Sequence, residues 1–347
     1  MPDVVFAIPG DLGSPTGGYA YDRRLLELLP AHGLDVSRLA LPDTFPHPSP
    51  EDIDATRRAL AALPAQSVVF FDGLAYGALP REVIAATSAP IVALVHHPLG
   101  YETGLPESRR KELLDSERAA LALARKVIVS SPTTRDVLEI EFGVPATRIA
   151  IAEPGAERVP RARGSAGTPT ILAVGAVSPR KGYDVLVDAL ARIAGRSWRA
   201  VIAGTLDQDR ATAAHLRAQI GSRGLGGRIA LAGTVSDTAL AELYATADVF
   251  VVSSIYEGYG MALADAMSYG LAIVSTTGGA AAHTVPDGAA LKVPPGDAHA
   301  LAQAIATMLD QPDRRRALAD AARQAGQQLP SWDDTAAVVA HVLRSIA

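Results

Sequence analysis

The 347-residue chain has no cysteine, so disulfides and thiolate metal sites are excluded. Aromatic residues make up only 5% of it. No apolar run approaches the ~20 residues that a membrane-spanning helix needs. The opening MPDVVFAIPG lacks the basic region of an export leader and goes straight into an apolar run, so the expectation is a cytoplasmic protein. A basic excess is also missing: the net charge is −5, and neither half of the chain has the surplus of Lys and Arg expected of a nucleic-acid binder. The basic run Arg109-Arg110-Lys111 is interleaved with Glu107, Glu112, Asp115 and Glu117, the pattern of a solvated helix face, which favours solvent over a peripheral membrane contact. No fixed-period repeat is present, which argues against a solenoid.

What is present is alternation. Short apolar runs at residues 4–8, 36–41, 68–71, 91–95, 127–129 and 149–151 are separated by helical patterns, and the second half repeats this at 170–174, 200–203, 229–231, 249–252, 272–275 and 289–293. Continuous apolar runs of this length, alternating with helices, predict parallel strands buried on both faces. The fold class expected is α/β, with two doubly wound, Rossmann-like domains and a cleft between them. The polar, Pro- and Gly-rich stretch 157–169 is the best linker, giving a first domain over 1–165, a second over 166–328, and a closing helix over 329–347 that crosses back to the first.

The most informative stretch is DVFVVSSIYEGYGMALADAMSYGLAIVST, residues 248–276. A β-branched run ends at Ser253 and Ser254, Gly258 and Gly260 let the backbone approach a ligand, and strong helix formers run from Met261 to the stop at Gly270. The free N–H groups of such a helix start suit a phosphate or a sugar oxygen. Eight helical residues rise roughly 12 Å, so Glu257 and Asp265 reach opposite ends of one extended ligand but cannot share a proton. From the residues alone, Glu257 as a helix cap and Asp265 as a surface residue remain an equal alternative.

This segment resembles the Glu-x7-Glu motif of retaining glycosyltransferases of the GT-B fold, family 4, with Asp265 in place of the second Glu. The resemblance implies that Glu257 faces the transferred sugar, that Gly258, Tyr259, Gly260 and Met261 lie along the donor diphosphate, and that Asp265 holds the ribose hydroxyls. Gly175 through Gly182, GAVSPRKG, is similar to the family's G-x(4,5)-K-G element. By that likeness Lys181 neutralises the leaving diphosphate, and Arg180 replaces the Arg that many members carry where this chain has Ala176. Without the likeness, adjacent cations in a turn are ordinarily just solvated. The loops at Gly204 and Val235 resemble the family's backbone loops around the nucleotide. Gly278-Gly279-Ala280-Ala281-Ala282-His283 lies where the family often has an acidic residue, and here that residue is missing.

In the first half, the loop before the helix expected from Tyr21 carries Gly17 and Gly18 without G-x-G-x-x-G spacing, so no dinucleotide fingerprint is supported. The resemblance places this Gly-Gly pair at the donor's phosphate and sugar. His96 and His97 follow the apolar run 91–95, at the carboxyl end of a predicted buried strand, where open α/β sheets bind ligands. Adjacent side chains diverge and no third ligand stands at H-x-x-x-H spacing, so a metal is the poorer reading. The family likeness gives His96 a contact with the sugar and leaves His97, Tyr101 and Glu102 to face the acceptor. Asp207-Gln208-Asp209 has D-x-D form but reads as a loop.

The expectation is therefore a metal-independent enzyme of the hexosyltransferase type, without cofactor. It would move a sugar from a nucleotide-sugar donor to a hydroxyl of a small-molecule, saccharide or lipid acceptor, with retention. The alternatives are a sugar-nucleotide epimerase or phosphorylase on the same fold, and a non-catalytic nucleotide-sugar-binding subunit.

Overall fold

A computed structural model describes residues 4–346. The chain forms two compact units. One consists of the residues up to Ser14, Gly18–Gly155 and the segment from Pro330 onward; the other consists of Ala156–Leu329 together with Pro15–Gly17.

The first unit is built on a six-stranded parallel sheet. Its strands are β1 (Val4–Pro9), β2 (Val36–Leu41), β3 (Val68–Asp72), β4 (Ile91–Val95), β5 (Lys126–Val129) and β6 (Ile149–Ile151), in the order β2-β1-β3-β4-β5-β6. Every residue of β1, β3 and β4 is buried, as continuous apolar strands covered on both faces should be. The chain turns outward from β1 to β2, then returns to place β3 on the other side. The carboxyl ends of β1 and β3 therefore flank a topological switch point, where doubly wound sheets open a crevice.

The second unit repeats the plan with β7 (Thr170–Val174), β8 (Arg199–Ala203), β9 (Ile229–Gly233), β10 (Val249–Val252), β11 (Ala272–Thr276) and β12 (Ala290–Val293), in the order β12-β11-β10-β7-β8-β9. Its switch point lies between β7 and β10. Apolar layers cover both faces of this sheet, one including Leu186, Leu190 and Ile305, the other Tyr244, Leu263 and Met267.

Two local readings change. The first helix starts at Gly17, not Tyr21. A first helical turn has N–H groups without intrahelical partners, so glycine costs less there than mid-helix. The stretch 157–169 is not a free linker. Its residues pack along the second unit, with Arg158 donating to the carbonyls of Gly326 and Leu329 and Ala162 N–H donating to Tyr269, so the chain passes between units at Gly155 and again at Leu329. The closing helix, Trp332–Arg344, begins in a capping box made by Ser331 and Asp334. It lies on the first unit, where Thr335 Oγ1 donates to Glu153 O, and His32 Nε2 is 2.9 Å from Asp333 Oδ1. No helix among the described residues is long and apolar enough to cross a membrane.

Candidate active site

In the second unit, the loops leaving β7 and β10 meet beside the switch point. Pro179–Lys181 is a single 3-10 turn closed by Gly182 in the left-handed conformation (φ 59°). A Cβ on Gly182 would lie 2.3 Å from Ser253 O, so the turn can press onto the end of β10 only with glycine there. The contact is stitched by Ile255 N–H donating to Arg180 O at 2.8 Å and Ser253 Oγ donating to Lys181 O at 2.8 Å.

That stitching places two cations against Glu257. Lys181 Nζ lies 2.6 Å from Glu257 Oε1, and Arg180 Nη1 lies 3.5 Å from Oε2 while donating to Tyr256 O at 2.8 Å. Ser254 Oγ donates to the same Oε1 at 2.5 Å. Burial alone would raise the carboxyl's pKa. The charges of Lys181 and Arg180, with the hydrogen bonds from Lys181 and Ser254, outweigh it and hold Glu257 at about 2. Glu257 is thus a buried anion whose oxygens are taken up by Lys181, Arg180 and Ser254.

Around this core two further glycines are sterically required. A Cβ on Gly204 would fall 2.0 Å from Gly175 O, and one on Gly278 would fall 2.2 Å from Ile255 O. Gly260, at φ 97°, opens the helix Met261–Tyr269, whose start has no side-chain cap. Tyr259 is buried, and Thr284 Oγ1 donates to its carbonyl. Asp265 sits on that helix, half-buried, its carboxyl pushed up to about 7 by burial and by the charge of Glu157. Val235 is half-buried just before Ser236, which caps the helix Asp237–Thr246. Asp209 caps the helix Arg210–Ser222 and Asp207 pairs with Arg210, so this D-x-D is loop and cap.

The first unit gathers a different set at its own switch point. His96 follows β4, Asp72 closes β3, and Asp22 projects from the helix Gly17–Leu28. His96 Nε2 stands 3.6 Å from Asp22 Oδ1 and 3.7 Å from Asp72 Oδ2. A Cβ on Gly18 would meet the imidazole at 3.3 Å, and the ring of Tyr21 meets it edge-on at 5.2 Å between centroids. Burial raises Asp22 to about 7 and Asp72 to about 8, the charge of Asp22 adding to the second, while burial holds His96 below its usual value. His97 and Glu102 pair with each other at 2.9 Å, and Tyr101 lies in the 3-10 turn Leu99–Tyr101 between them. Glu117, on the helix Glu107–Leu121, accepts the Leu99 N–H at 2.9 Å and pins this turn; burial pushes its carboxyl up to about 8.

The second unit therefore brings together Gly175, Arg180, Lys181 and Glu257, with Gly258, Gly260 and Met261 next in the same loop and helix start. Gly18 and His96 belong together on the first unit. Sequence reading missed Asp22, Asp72, Glu117 and Ser254. Only Asp72 carries a visible signal, as an acid ending the apolar run 68–71.

Two doubly wound parallel sheets, each with a polar loop cluster at its switch point, define the two-domain Rossmann-like architecture called GT-B. Residues 157–325, nearly all of the second unit, match the model of the glycosyl transferases group 1 family. The fold agrees with that of the sucrose-phosphate synthase from Thermosynechococcus elongatus, with a TM-score of 0.84, 24% identity and 99% of each chain covered. Among curated relatives, the chain is 29% identical over 272 residues to an MMP alpha-(1->4)-mannosyltransferase of Mycolicibacterium hassiacum, covering 73% of this chain and 65% of that protein. It is 30% identical over 187 residues to a mannosylfructose-phosphate synthase of Agrobacterium fabrum, covering 49% of this chain and 41% of that protein. The chain thus spans less than two thirds of the length of either.

Proposed function

We propose that this chain is a glycosyltransferase that moves a sugar from a nucleoside-diphosphate sugar to an acceptor hydroxyl with retention of configuration. The observation that carries this reading is the pair Arg180 and Lys181, fixed by one buried carboxylate in the loop ahead of an uncapped helix start. Two cations against one anion leave the site with a net positive charge, and the amides from Gly258 to Met261 add donors of fixed direction. Such an arrangement suits a diphosphate whose negative charge grows as the glycosidic bond breaks. The names of the relatives, a mannosyltransferase and a mannosylfructose-phosphate synthase, support sugar transfer as the reaction class.

In this reading the leaving diphosphate takes the proton of the acceptor hydroxyl as bonds break and form on one face of the sugar. Arg180 and Lys181 stabilise its developing charge. Glu257 serves first to hold those cations in place, Asp265 accepts the ribose hydroxyls, and His96 contacts the sugar. No step is routed through a metal.

The test begins with a melting-temperature screen against nucleotide sugars, where a ligand at 100 times its Kd stabilises by about 2.7 kcal/mol. With the donor known, Lys181→Ala should lower turnover by about 100-fold, the scale of one preorganised electrostatic donor. Near-normal turnover in folded Lys181→Ala overturns the assignment, and an inverted anomer in the product, read by NMR, overturns retention. His96→Ala should lower transfer far more than it weakens the free nucleoside diphosphate. Tight donor binding with no turnover on any acceptor marks a non-catalytic subunit instead.

A further inference from the structure

The cluster at the first unit's switch point holds two buried acids, Asp22 and Asp72, that the transfer reaction described above does not use. Among the described residues no Lys or Arg forms an ion pair with either. The neighbouring cation Arg23 gives its guanidinium to the carbonyls of Leu12 and Ser14. The acids have each other instead: their carboxyls hydrogen-bond together, which requires a proton between them. Asp72 Oδ1 also accepts the Leu74 N–H at 2.8 Å, which fixes that carboxyl at the end of β3.

The pair also governs His96. With one proton on the pair and a neutral imidazole, the trio holds a single buried charge. Moving that proton to the ring would keep the same net charge but create three buried charges, so burial favours the first arrangement. Burial accordingly raises both acids and lowers His96. A neutral imidazole has one N–H, and its surroundings choose the nitrogen that carries it. His96 Nε2 stands 3.6 Å from Asp22 Oδ1 and 3.7 Å from Asp72 Oδ2. A lone pair there would face two acceptor oxygens and be repelled, whereas an N–H points into the negative charge of the pair. These separations exceed a good hydrogen bond, so the pair acts on the ring through its field. A Cβ on Gly18 would lie 3.3 Å from Cδ2 and 3.5 Å from Nε2, so glycine lets the helix start close over this edge, and Tyr21 meets the ring edge-on. Nε2 is covered while the His96 side chain as a whole is 23% exposed, so the exposure falls on its other atoms.

We propose that Asp22 and Asp72 are positioning residues for His96: the proton-sharing pair holds the imidazole neutral with its hydrogen on Nε2, leaving Nδ1 to accept a hydrogen bond from a hydroxyl of the transferred sugar. The inference rests on the reading above that His96 contacts the sugar. It adds a rule for the donor, because the hydroxyl that meets His96 must give its hydrogen. Fluorine at that carbon, which cannot donate, serves no better there than a deoxy position.

The experiment uses the whole chain labelled with 15N-histidine, with His96→Gln identifying the His96 signals among the 8 histidines by NMR. In the unliganded parent at about pH 7.5, Nε2 should show the shift of a protonated ring nitrogen and Nδ1 that of an unprotonated one. Asp22→Asn and Asp72→Asn each replace the shared charge with an amide donor and should move the hydrogen toward Nδ1; if one variant fails to fold, the other provides the test. Each should also weaken the UDP or GDP sugar that the parent binds by about tenfold, the scale of one lost hydrogen bond, while UDP and GDP alone bind as before. In the parent that sugar nucleotide, and not the free diphosphate, should shift the Nδ1 signal. A hydrogen on Nδ1 or on both nitrogens of the parent overturns the proposal. So does an unchanged tautomer in a folded Asn variant, or a sugar nucleotide that binds without moving Nδ1. The tautomer of the unliganded chain is read without donor or turnover, so failure there leaves the transferase reading standing. Failure of every nucleotide sugar to bind overturns that reading, while the tautomer still decides the role of the pair.

Discussion

Replacing Glu257 with Gln keeps the shape of the side chain and removes the charge that faces Lys181 and Arg180. The native carboxyl is displaced from 4.5 to about 2. By linkage, that displacement is worth about 3 kcal/mol of stability at neutral pH. Because the folded value lies below the unfolded one, this contribution is complete above pH ~4.5 and is lost as pH falls through ~2. A unit of this size loses roughly 2–4 °C of Tm per kcal/mol, so Glu257→Gln should melt about 6–12 °C below the parent at pH 7. At pH 3.5 the gap should have narrowed to about 2 kcal/mol. Calorimetric melting at pH 7, 5 and 3.5 decides the matter. Adding Lys181→Met to the Gln variant removes the stranded ammonium and should restore part of the loss. Equal Tm values at pH 7, or a gap that does not change with acid, would refute the view that Glu257 is a paired anion.

Gly182→Ala should unfold the turn or cost at least about 2 kcal/mol by chemical denaturation, since its φ is 59° and a Cβ would sit 2.3 Å from Ser253 O; stability equal to the parent would show that the turn has another conformation. Glu117 has the opposite pH signature: its folded value of about 8 exceeds the unfolded 4.5, so its contribution falls as pH rises between the two. Glu117→Gln should melt with the parent near pH 4.5 and by roughly 5 °C or more above it at pH 9, and parallel curves across that range contradict a buried neutral acid. Asp265→Ala should weaken the nucleoside diphosphate by about tenfold or more, or roughly 1.4 kcal/mol, with a much smaller loss for the 2′-deoxy analogue. With Asp265 at about 7, donor affinity should also climb between pH 6 and 8 in the parent beyond any climb in Asp265→Asn, as calorimetry would show.

The strands were legible because a parallel strand covered on both faces must be apolar at every position, and β1, β3, β4 and β10 are buried throughout. The loops of the second unit were legible because glycine and cation spacing is local. What sequence could not reveal is pairing across the switch points. Lys181 and Glu257 meet only because β7 and β10 are neighbours in the sheet. Asp22, next to Arg23 and Arg24, has the local pattern of a solvated helix face, and only tertiary packing turns it inward to no exposure. Gly17 and Gly18 read as loop because glycine discourages helix, a penalty that a first turn with unpaired N–H groups relaxes.

The path of the chain through its two units has a consequence for synthesis. All of Ala156–Leu329 leaves the ribosome before the segment from Pro330 onward, although that segment completes the unit begun first. Until Trp332, Ala336, Val339, Ala340 and Leu343 arrive, the partners these buried side chains pack against, Tyr21 among them, lack that cover. The earliest-made half is therefore the last to mature. Truncation ahead of Trp332 would leave the second unit whole and the first without that cover, so aggregation or chaperone capture would act on the first unit.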